Sequence, residues 1–353
     1  TNNAGWTRSK SPVLLWSPDS KKIATFIHDG RGVGEMYLAT TKVGHPELDA
    51  WKYPLPEDSV IFRIHRVVIH IEQPRVVKLQ MQPDQHRSTI TDHIATRGGQ
   101  FADVEWSPDG SSLSFVSVSR DHKHVIFRVA DPESGEVRDV FDESEDTFFE
   151  SGYNKINWHY LPEAKEVLWY SQRDDWGHLY LYDLASGALK KQITKGDWRV
   201  LQVLHVDETA RNILFTAAGK EAGDPYFHYL YRIGMDGSGL KLLTPDSANH
   251  RISLSPDGNY FIDTYSTPQL PPVTELRDQE GKLLLTLETA DISQLLESGW
   301  KAPTSVVVKA RDGKTDLYGI LHKPSNFDPG KKYPIINYIY PGPQSGSVRG
   351  RNF

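Results

Sequence analysis

The residues of this sequence with the clearest chemical potential are its serines, histidines and aspartates, because these three types together form hydrolytic triads. A serine nucleophile of the strand–turn–helix kind needs the pattern Gly-x-Ser-x-Gly, which exposes the hydroxyl beside oxyanion donors. The sequence contains no such pattern, and the segment 342–346 (Gly-Pro-Gln-Ser-Gly) has its serine one position late. No cysteine is present to replace that serine. We therefore expect the chain by itself to be catalytically inert.

A charged segment runs from Arg173 to His178 and includes two aspartates. Its carboxylates are adjacent, whereas a calcium loop spaces its oxygen ligands at alternate positions. A β-turn with solvated charges explains this segment better than a metal site does. The segment Gly313-Lys314-Thr315 lacks the earlier glycine of a phosphate-binding loop. The sequence therefore predicts no metal site and no cofactor.

The elements that would position any functional residue are indicated by a repeated motif. Trp-Ser-Pro-Asp begins at Trp16 and again at Trp106, and Leu-Ser-Pro-Asp begins at Leu254. Each copy is followed by a short apolar run, and Pro-Asp-Gly is turn chemistry, with proline fixing φ and glycine accepting positive φ. The motif therefore predicts a strand, a tight turn and a second strand.

A second hairpin recurs between these copies. Its turn glycines are Gly135, Gly187 and Gly239, which are 52 residues apart. Two hairpins in a unit of roughly 45–50 residues make one four-stranded propeller blade. The interval from Trp16 to Trp106 corresponds to about two blades, and we count about six blades up to residue 288. A β-sandwich with fortuitous spacing is the alternative.

The pattern changes after residue 288. Residues 291–297 are typical of one short helix, with Asp291 as a possible N-cap, and residues 305–310 and 317–322 favour two strands. Residues 333–340 are almost continuously apolar, as is typical of a strand that is buried on both faces of a sheet. We therefore expect a β-propeller domain over 1–288, a linker helix over 289–303, and the truncated start of a new sheet over 304–353.

Composition excludes several classes of partner. The net charge is −6 with both signs mixed along the chain, so the basic stripe that nucleic acid requires is absent. No apolar run approaches the ~20 residues of a membrane-spanning helix. The first ten residues are polar and lack the apolar core of a signal peptide.

The ordered combination of these motifs resembles the prolyl oligopeptidase family, in particular its dipeptidyl peptidase IV-like branch. The Trp-Ser-Pro-Asp strands are similar to those of the family's propeller. Residues 34–56 resemble a family segment in which an extended strand leads to a Tyr-Pro turn. The start of the family's α/β-hydrolase domain is similar to residues 310–315, 323–327 and 332–334. The resemblance implies an eight-bladed propeller that caps the hydrolase, with N-terminal blades missing from this chain and the Ser-Asp-His triad beyond Phe353.

The resemblance also implies roles for individual residues. Tyr340 matches a tyrosine at the end of a hydrolase strand whose hydroxyl stabilises the oxyanion, although Pro341 replaces the small residue that relatives usually carry. Phe148, Phe149 and Glu150 match a loop that contributes to the pocket for the second substrate residue. Relatives carry an arginine near the position of Glu150, so this chain departs from the family pattern there. An acidic residue at this position could instead attract a substrate ammonium. An inter-blade turn with both phenylalanines buried is the alternative for this loop.

The function implied by the resemblance is that of a serine dipeptidyl aminopeptidase of bacterial type, which releases N-terminal dipeptides. The propeller would gate its cavity and contribute to its substrate pocket. Its partners would be peptides, its location periplasmic or secreted, and a homodimer is possible. The alternatives are a free-standing propeller used for protein interaction, and the propeller of a prolyl oligopeptidase or acylaminoacyl peptidase relative.

Overall fold

The three Ser-Pro-Asp segments form the same tight turn in the structure, a computed structural model that describes residues 12–85, 101–149, 157–338 and 351–353. In every copy the serine hydroxyl donates to the aspartate carboxylate two residues further on, at 2.6–2.7 Å. Gly110 and Gly258 both have φ of 69°, and Ser20 takes the same place in the first copy with φ of 59°. Each motif joins two antiparallel strands, so the predicted strand–turn–strand unit is confirmed.

Contacts divide the chain into two compact units, Thr1–Arg173 with Leu179–Lys191 and Asp174–His178 with Gln192–Phe353. The first sheet of the first unit has the strand order β1-β2-β5-β6, with β7 also paired to β5, while β3 and β4 pair only with each other. These strands are β1 (Leu15–Trp16), β2 (Lys22–Asp29), β3 (Glu35–Ala39), β4 (Leu48–Lys52), β5 (Arg63–His70), β6 (Arg75–Lys78) and β7 (Asp84–Gln85).

Two further sheets follow in the chain, each with four strands in sequential order. The second sheet contains β8 (Val104–Trp106), β9 (Leu113–Val118), β10 (His124–Ala130) and β11 (Val137–Ser144). The third contains β12 (His159–Leu161), β13 (Glu166–Ser171), β14 (His178–Asp183) and β15 (Leu189–Gln192). Both are antiparallel meanders, in which neighbouring strands are joined by short turns.

The second unit contains two more four-stranded meanders, then a short helix and a hairpin. The fourth sheet contains β16 (Arg199–Asp207), β17 (Asn212–Ala218), β18 (Tyr229–Gly234) and β19 (Lys241–Leu242), and the fifth contains β20 (Asn249–Leu254), β21 (Tyr260–Ser266), β22 (Val273–Asp278) and β23 (Leu283–Thr289). The remaining elements are α1 (Ser293–Glu297), β24 (Thr304–Lys309) and β25 (Asp316–Leu321).

The hydrophobic core lies on the faces of these sheets and is rich in aromatic side chains. In the first unit, Phe127 contacts the rings of Phe141 and Trp158 at 5.4 and 5.2 Å between centroids. In the second unit, Trp198 stacks on Phe215 and on Tyr231, both at 6.2 Å. Aromatic side chains bury large areas on a pleated surface, which suits them to the faces of these sheets.

Turn glycines allow consecutive sheets of a unit to approach closely. A Cβ on Gly187, in the β14–β15 turn, would lie 1.9 Å from the carbonyl oxygen of Val140 in β11. A Cβ on Gly135 would lie 2.7 Å from the carbonyl oxygen of Lys78 in β6. Only glycine fits these two positions, because each has positive φ as well as a backbone contact.

The structure differs from the sequence-based prediction between Trp16 and Trp106. That interval was expected to hold about two blades, but its described residues form one blade-like sheet and the separate β3–β4 hairpin. The two strands of this hairpin are mostly exposed, and in the described residues their backbones form a two-stranded sheet of their own. The described residues therefore contain five blade-like sheets rather than about six.

The region after residue 288 differs as well. The hairpin β24–β25 matches the predicted strands, but residues 333–338 form no strand, and Ile335 and Ile336 are 89% and 93% exposed. A parallel strand exists only through hydrogen bonds to neighbouring strands, and none of the described residues pairs with this segment. The N-cap of α1 is Ile292, one residue after the expected Asp291, whose carboxylate instead accepts from the amide of Ser293 at 2.9 Å.

Candidate functional site

The candidate site lies in the first unit, where the loop after β11 meets the turn between β9 and β10. The backbone amide of Glu145 donates to the carbonyl of Lys123 at 2.8 Å, and the amide of Phe149 donates to the carbonyl of His122 at 2.6 Å. His122 has φ of 58°, a left-handed conformation that is uncommon outside glycine. These two backbone hydrogen bonds hold the loop against the turn.

The structure places two of the predicted site residues in this loop. The Phe148 ring is half-buried and stacks on the His122 ring, with centroids 4.5 Å apart and planes at 15°. The Phe149 ring is 1% exposed and stacks on Trp169 at 5.8 Å. Phe149 thus packs in the core of the unit, while Phe148 retains an accessible face. The other two predicted residues, Glu150 and Tyr340, lie outside the described residues.

A buried carboxylate, that of Glu143, lies at the end of β11 beside this loop. Its oxygens accept hydrogen bonds from the indole of Trp169 at 2.9 Å, from the hydroxyl of Ser171, and from the guanidinium of Arg173. The side chain is only 7% exposed. A buried carboxyl without hydrogen-bond partners would be costly, so these three donors stabilise Glu143 and fix its position.

Arg173 supplies the opposite charge and is held from several sides. Its guanidinium stacks on the Tyr180 ring at 4.4 Å and donates to the Tyr182 hydroxyl at 2.6 Å. Burial opposes the charge of Arg173, but the Glu143 carboxylate and the Tyr182 hydroxyl outweigh burial and raise the pKa of the guanidinium. The site therefore contains a permanent cation on an aromatic surface.

Glu145 is the group of this site that can change its charge near neutral pH. Burial and the neighbouring Glu143 carboxyl raise the pKa of Glu145 to about 7. A carboxyl of this kind exchanges a proton readily at neutral pH, and a nearby ammonium group would favour its ionised form. Together with the accessible face of Phe148, it could hold the positive end and the apolar side chain of a ligand.

Sequence reasoning missed Glu143, Glu145 and Arg173. Arg173 was expected in a solvated β-turn, but its side chain is 29% exposed and is paired with Glu143. The signal that could have found the pair is the spacing of Glu143 and Phe141, because residues two apart on a strand share a face and a carboxylate on a buried face needs a partner.

His178, expected in the same solvated turn, is completely buried in the second unit. Its Nδ1 lies 3.0 Å from the Thr194 hydroxyl and its Nε2 lies 2.9 Å from the carbonyl of Gly196. Both ring nitrogens therefore have partners, so this histidine stabilises the fold of its sheet.

Neither a metal centre nor a membrane-spanning helix occurs among the described residues. Within these ranges, no group of three or more histidine, cysteine, aspartate and glutamate side chains is arranged to hold a metal ion. No helix in this part of the chain has the length and apolar character needed to cross a membrane.

Comparison with known proteins identifies a family that covers most of the chain. Residues 9–272 match the sequence model described as the dipeptidyl peptidase IV N-terminal region. Dipeptidyl peptidase 4 of Arthroderma otae is 27% identical over 265 residues, which cover 70% of this chain and 32% of that protein. Dipeptidyl-aminopeptidase B of Aspergillus niger is 29% identical over 161 residues, covering 44% of this chain and 18% of that protein.

Solved structures give the same result for the fold. A protein of Bacteroides ovatus described as a "putative dipeptidyl aminopeptidase IV" superposes with a TM-score of 0.76 at 26% identity, covering 96% of this chain and 48% of that one. Dipeptidyl peptidase 4 of Porphyromonas gingivalis superposes with a TM-score of 0.73 at 20% identity, covering 95% and 45%. These matches confirm the predicted fold class, an all-β chain built from propeller sheets. The chain spans about a third of the length of the Arthroderma relative and about half of the solved chains.

Proposed function

Because the chain belongs to the family of the dipeptidyl peptidase IV N-terminal region, we propose that it is the propeller part of a serine dipeptidyl aminopeptidase. Such an enzyme removes dipeptides from the free N-termini of peptides. The propeller would restrict access to the catalytic cavity and supply part of the substrate pocket. The chemical step would belong to a hydrolase domain that carries the nucleophile.

The observation that best supports the pocket role is the position of Glu145 beside Phe148. The substrate of an aminopeptidase presents an ammonium group and, within two residues, a side chain that is often apolar. Glu145 offers a carboxyl that ionises near neutral pH, and Phe148, three residues further along the same loop, offers a half-buried apolar ring. The Arg173 guanidinium donates to Glu143 and so fixes the position of that neighbouring carboxylate.

Tyr340 is the residue of this chain that we assign to the chemical step. In the family resemblance its hydroxyl donates to the oxyanion that forms when the nucleophile attacks the peptide carbonyl. A hydrogen bond to an oxygen that gains negative charge is stronger in the transition state than in the bound substrate. Only such an interaction accelerates the chemical step rather than merely tightening binding. The proline that follows, Pro341, restricts the backbone at this point.

The same family membership leads us to propose an exported enzyme whose ligands are peptides and which can assemble as a homodimer. Export is tested by fractionating cells that express the full-length enzyme, with activity in the periplasm or medium as the expected result. Sedimentation of the purified full-length enzyme tests for the dimer. Activity confined to the cytoplasm would contradict export, and a monomer at micromolar concentration would contradict the dimer.

The function is tested with a chromogenic substrate that carries a proline-containing dipeptide, Gly-Pro-p-nitroanilide. The full-length enzyme and this 353-residue chain are assayed side by side at equal concentration. We expect turnover by the full-length enzyme and none by the chain. Turnover by the chain alone would show that it contains a nucleophile, and no turnover by the folded full-length protein would favour a propeller that only binds.

A further inference from the structure

An open cavity of about 790 Å³ lies in the first unit, away from the aromatic and acidic residues of the candidate site. Its lining comes from the end of β2 and the following turn, from the end of β4, and from β5 and β6. We refer to it as the β2–β4 cavity. Its size is in the range of cavities that hold small organic molecules.

The charged lining of the β2–β4 cavity is mainly positive. It contains the cations Arg31, Lys52 and Lys78 and one carboxylate, that of Asp29. The carboxylate is already occupied, because the Arg31 Nε and a terminal nitrogen donate to its two oxygens at 2.9 and 2.6 Å. Lys52 donates to the backbone carbonyl of Gly30, which leaves its charge uncompensated. Two lysine charges therefore remain available to an incoming anion.

His65 adds a neutral polar group to this lining. Its Nδ1 is enclosed and has no hydrogen-bond partner among the described residues. Burial and the charge of Lys78 lower the pKa of His65, so the ring is uncharged at neutral pH. An enclosed polar atom without a partner costs free energy, and a bound polar ligand would remove that cost.

The same lining includes aromatic rings. The rings of His28 and Phe62 stack with centroids 4.5 Å apart, and the half-buried Trp51 lies in the same lining. Gly30 permits this arrangement, because a Cβ there would lie 2.7 Å from the Phe62 ring. The cavity thus combines a flat apolar surface with two uncompensated cations, a combination suited to a ligand with a ring and an anionic group.

From this geometry we propose that the β2–β4 cavity binds an aromatic carboxylate. The carboxylate contacts Lys52 and Lys78, and the ring packs on Trp51 and the His28–Phe62 pair. Two sources share this chemistry, namely a free aromatic acid and a peptide that ends in an aromatic residue. The proposal does not depend on peptidase activity, since the cavity contains none of the residues assigned to that function.

The test is ligand-observed ¹⁹F NMR on the 353-residue chain with 4-fluorophenylacetate, and with the neutral 4-fluorophenylacetamide as its matched probe. We expect the carboxylate signal to broaden and the amide signal to remain sharp. Lys78→Gln and Trp51→Leu should each weaken binding about tenfold, whereas Lys21→Gln should not change it. Lys21 is a suitable control because it is an exposed lysine just before β2, at the end of that strand remote from the cavity.

Competition then separates the two sources. Displacement by an N-acetylated peptide with a free C-terminal phenylalanine, but not by its C-terminal amide, would identify a peptide end as a ligand. Displacement by phenylacetate alone would identify a free acid. Equal broadening of both fluorinated probes, binding that survives both Lys78→Gln and Lys52→Gln, or equally strong displacement by inorganic phosphate would overturn the proposal.

Discussion

Individual charges inside this molecule are stabilised by specific partners. The Arg66 guanidinium donates to the Asp84 carboxylate at 2.7 Å and to the carbonyl of Val116 at 3.0 Å, while its face lies 4.4 Å from the Phe115 ring. In the second unit the His250 Nδ1 lies 2.9 Å from Asp263, and both side chains are fully buried. Such groups are tolerated in a core only when they are paired and hydrogen-bonded.

Arg173→Gln should destabilise the chain by about 3 kcal/mol, because it leaves the Glu143 carboxylate buried without its cation. Urea unfolding measures the change. The matched control is Arg31→Gln, which removes a similar Arg–Asp contact from a guanidinium that is 91% exposed. We expect that control to leave stability nearly unchanged, because solvent screens an exposed ion pair. Equal effects of the two substitutions would show that burial does not determine the strength of these pairs.

Glu105 gives the molecule a stability that depends on pH. Burial, and to a lesser extent the charge of Asp103, raise the pKa of Glu105 to about 7, against the opposing hydrogen bond from the Tyr160 amide. The folded state therefore holds this proton up to a higher pH than the unfolded state does. Stability should fall as pH rises from about 4.5 to 7, by on the order of 1 to 3 kcal/mol.

Glu105→Gln should remove that part of the pH dependence, because glutamine does not titrate. Urea unfolding of the two proteins at pH 4.0, 5.5, 7.0 and 8.0 measures it. The difference between the variant and the original protein should shift in favour of the variant as pH rises and level off above pH 7. A constant difference across this range would mean that Glu105 has an ordinary pKa.

Tyr340→Phe tests the role assigned to the phenol in the full-length enzyme. Loss of one oxyanion donor should lower kcat about 100-fold and leave KM nearly unchanged, because the contact forms in the transition state. Tyr338→Phe is the matched control, since it removes the same hydroxyl from a tyrosine that is 83% exposed. An unchanged kcat in the Tyr340 variant would remove this residue from the mechanism.

At the scale of elements, the turns determine how closely successive sheets pack. Gly135, Gly187 and Gly239 occupy equivalent turns with φ of 80°, 71° and 67°. Their surroundings differ, because the first two lie against the backbone of the preceding sheet, while a Cβ on Gly239 would meet no other atom within 4 Å. In the third turn the contact is made by Gly237 instead, where a Cβ would lie 3.1 Å from the carbonyl oxygen of Ile193.

Gly187→Ala should destabilise the chain by about 3 kcal/mol or more. The alanine methyl group would collide with the carbonyl oxygen of Val140, and the alanine backbone would have to keep a strained, positive φ. Gly239→Ala should lower the free energy of unfolding by only about 1 kcal/mol, because this glycine has a similar φ but a Cβ there would meet no neighbouring atom. Thermal unfolding of both variants measures the difference. Similar losses would show that contact between sheets contributes little and that backbone strain alone matters.

The local patterns of the sequence were sufficient to predict the strands and turns. Trp106-Ser107-Pro108-Asp109 and the glycine at position 187 predicted their turns correctly because turn chemistry is local. The segment 333–338 could not be predicted in the same way, because its apolar residues specify burial but not the neighbouring strands that would provide it. Glu143 and Arg173 were missed for a related reason, since they are 30 residues apart in sequence and meet only through the packing of two sheets.

At the scale of the whole molecule, we propose a division of labour between this propeller part and a separate catalytic domain. The propeller would select and hold a peptide, and a catalytic domain would cleave it. A dipeptidyl peptidase differs from an endopeptidase or an acylaminoacyl peptidase in recognising a free ammonium at a fixed distance from the scissile bond. We propose that Glu145, whose ionised form a nearby ammonium would favour, contributes to this recognition.

The most direct test is to incubate the full-length enzyme with a synthetic decapeptide that has proline at its second and fourth positions and to follow the products by mass spectrometry. The account predicts that residues are lost two at a time from the free N-terminus, and that an N-acetylated copy of the peptide remains intact. Cleavage at internal bonds, removal of single residues, or equal processing of the acetylated copy would contradict it.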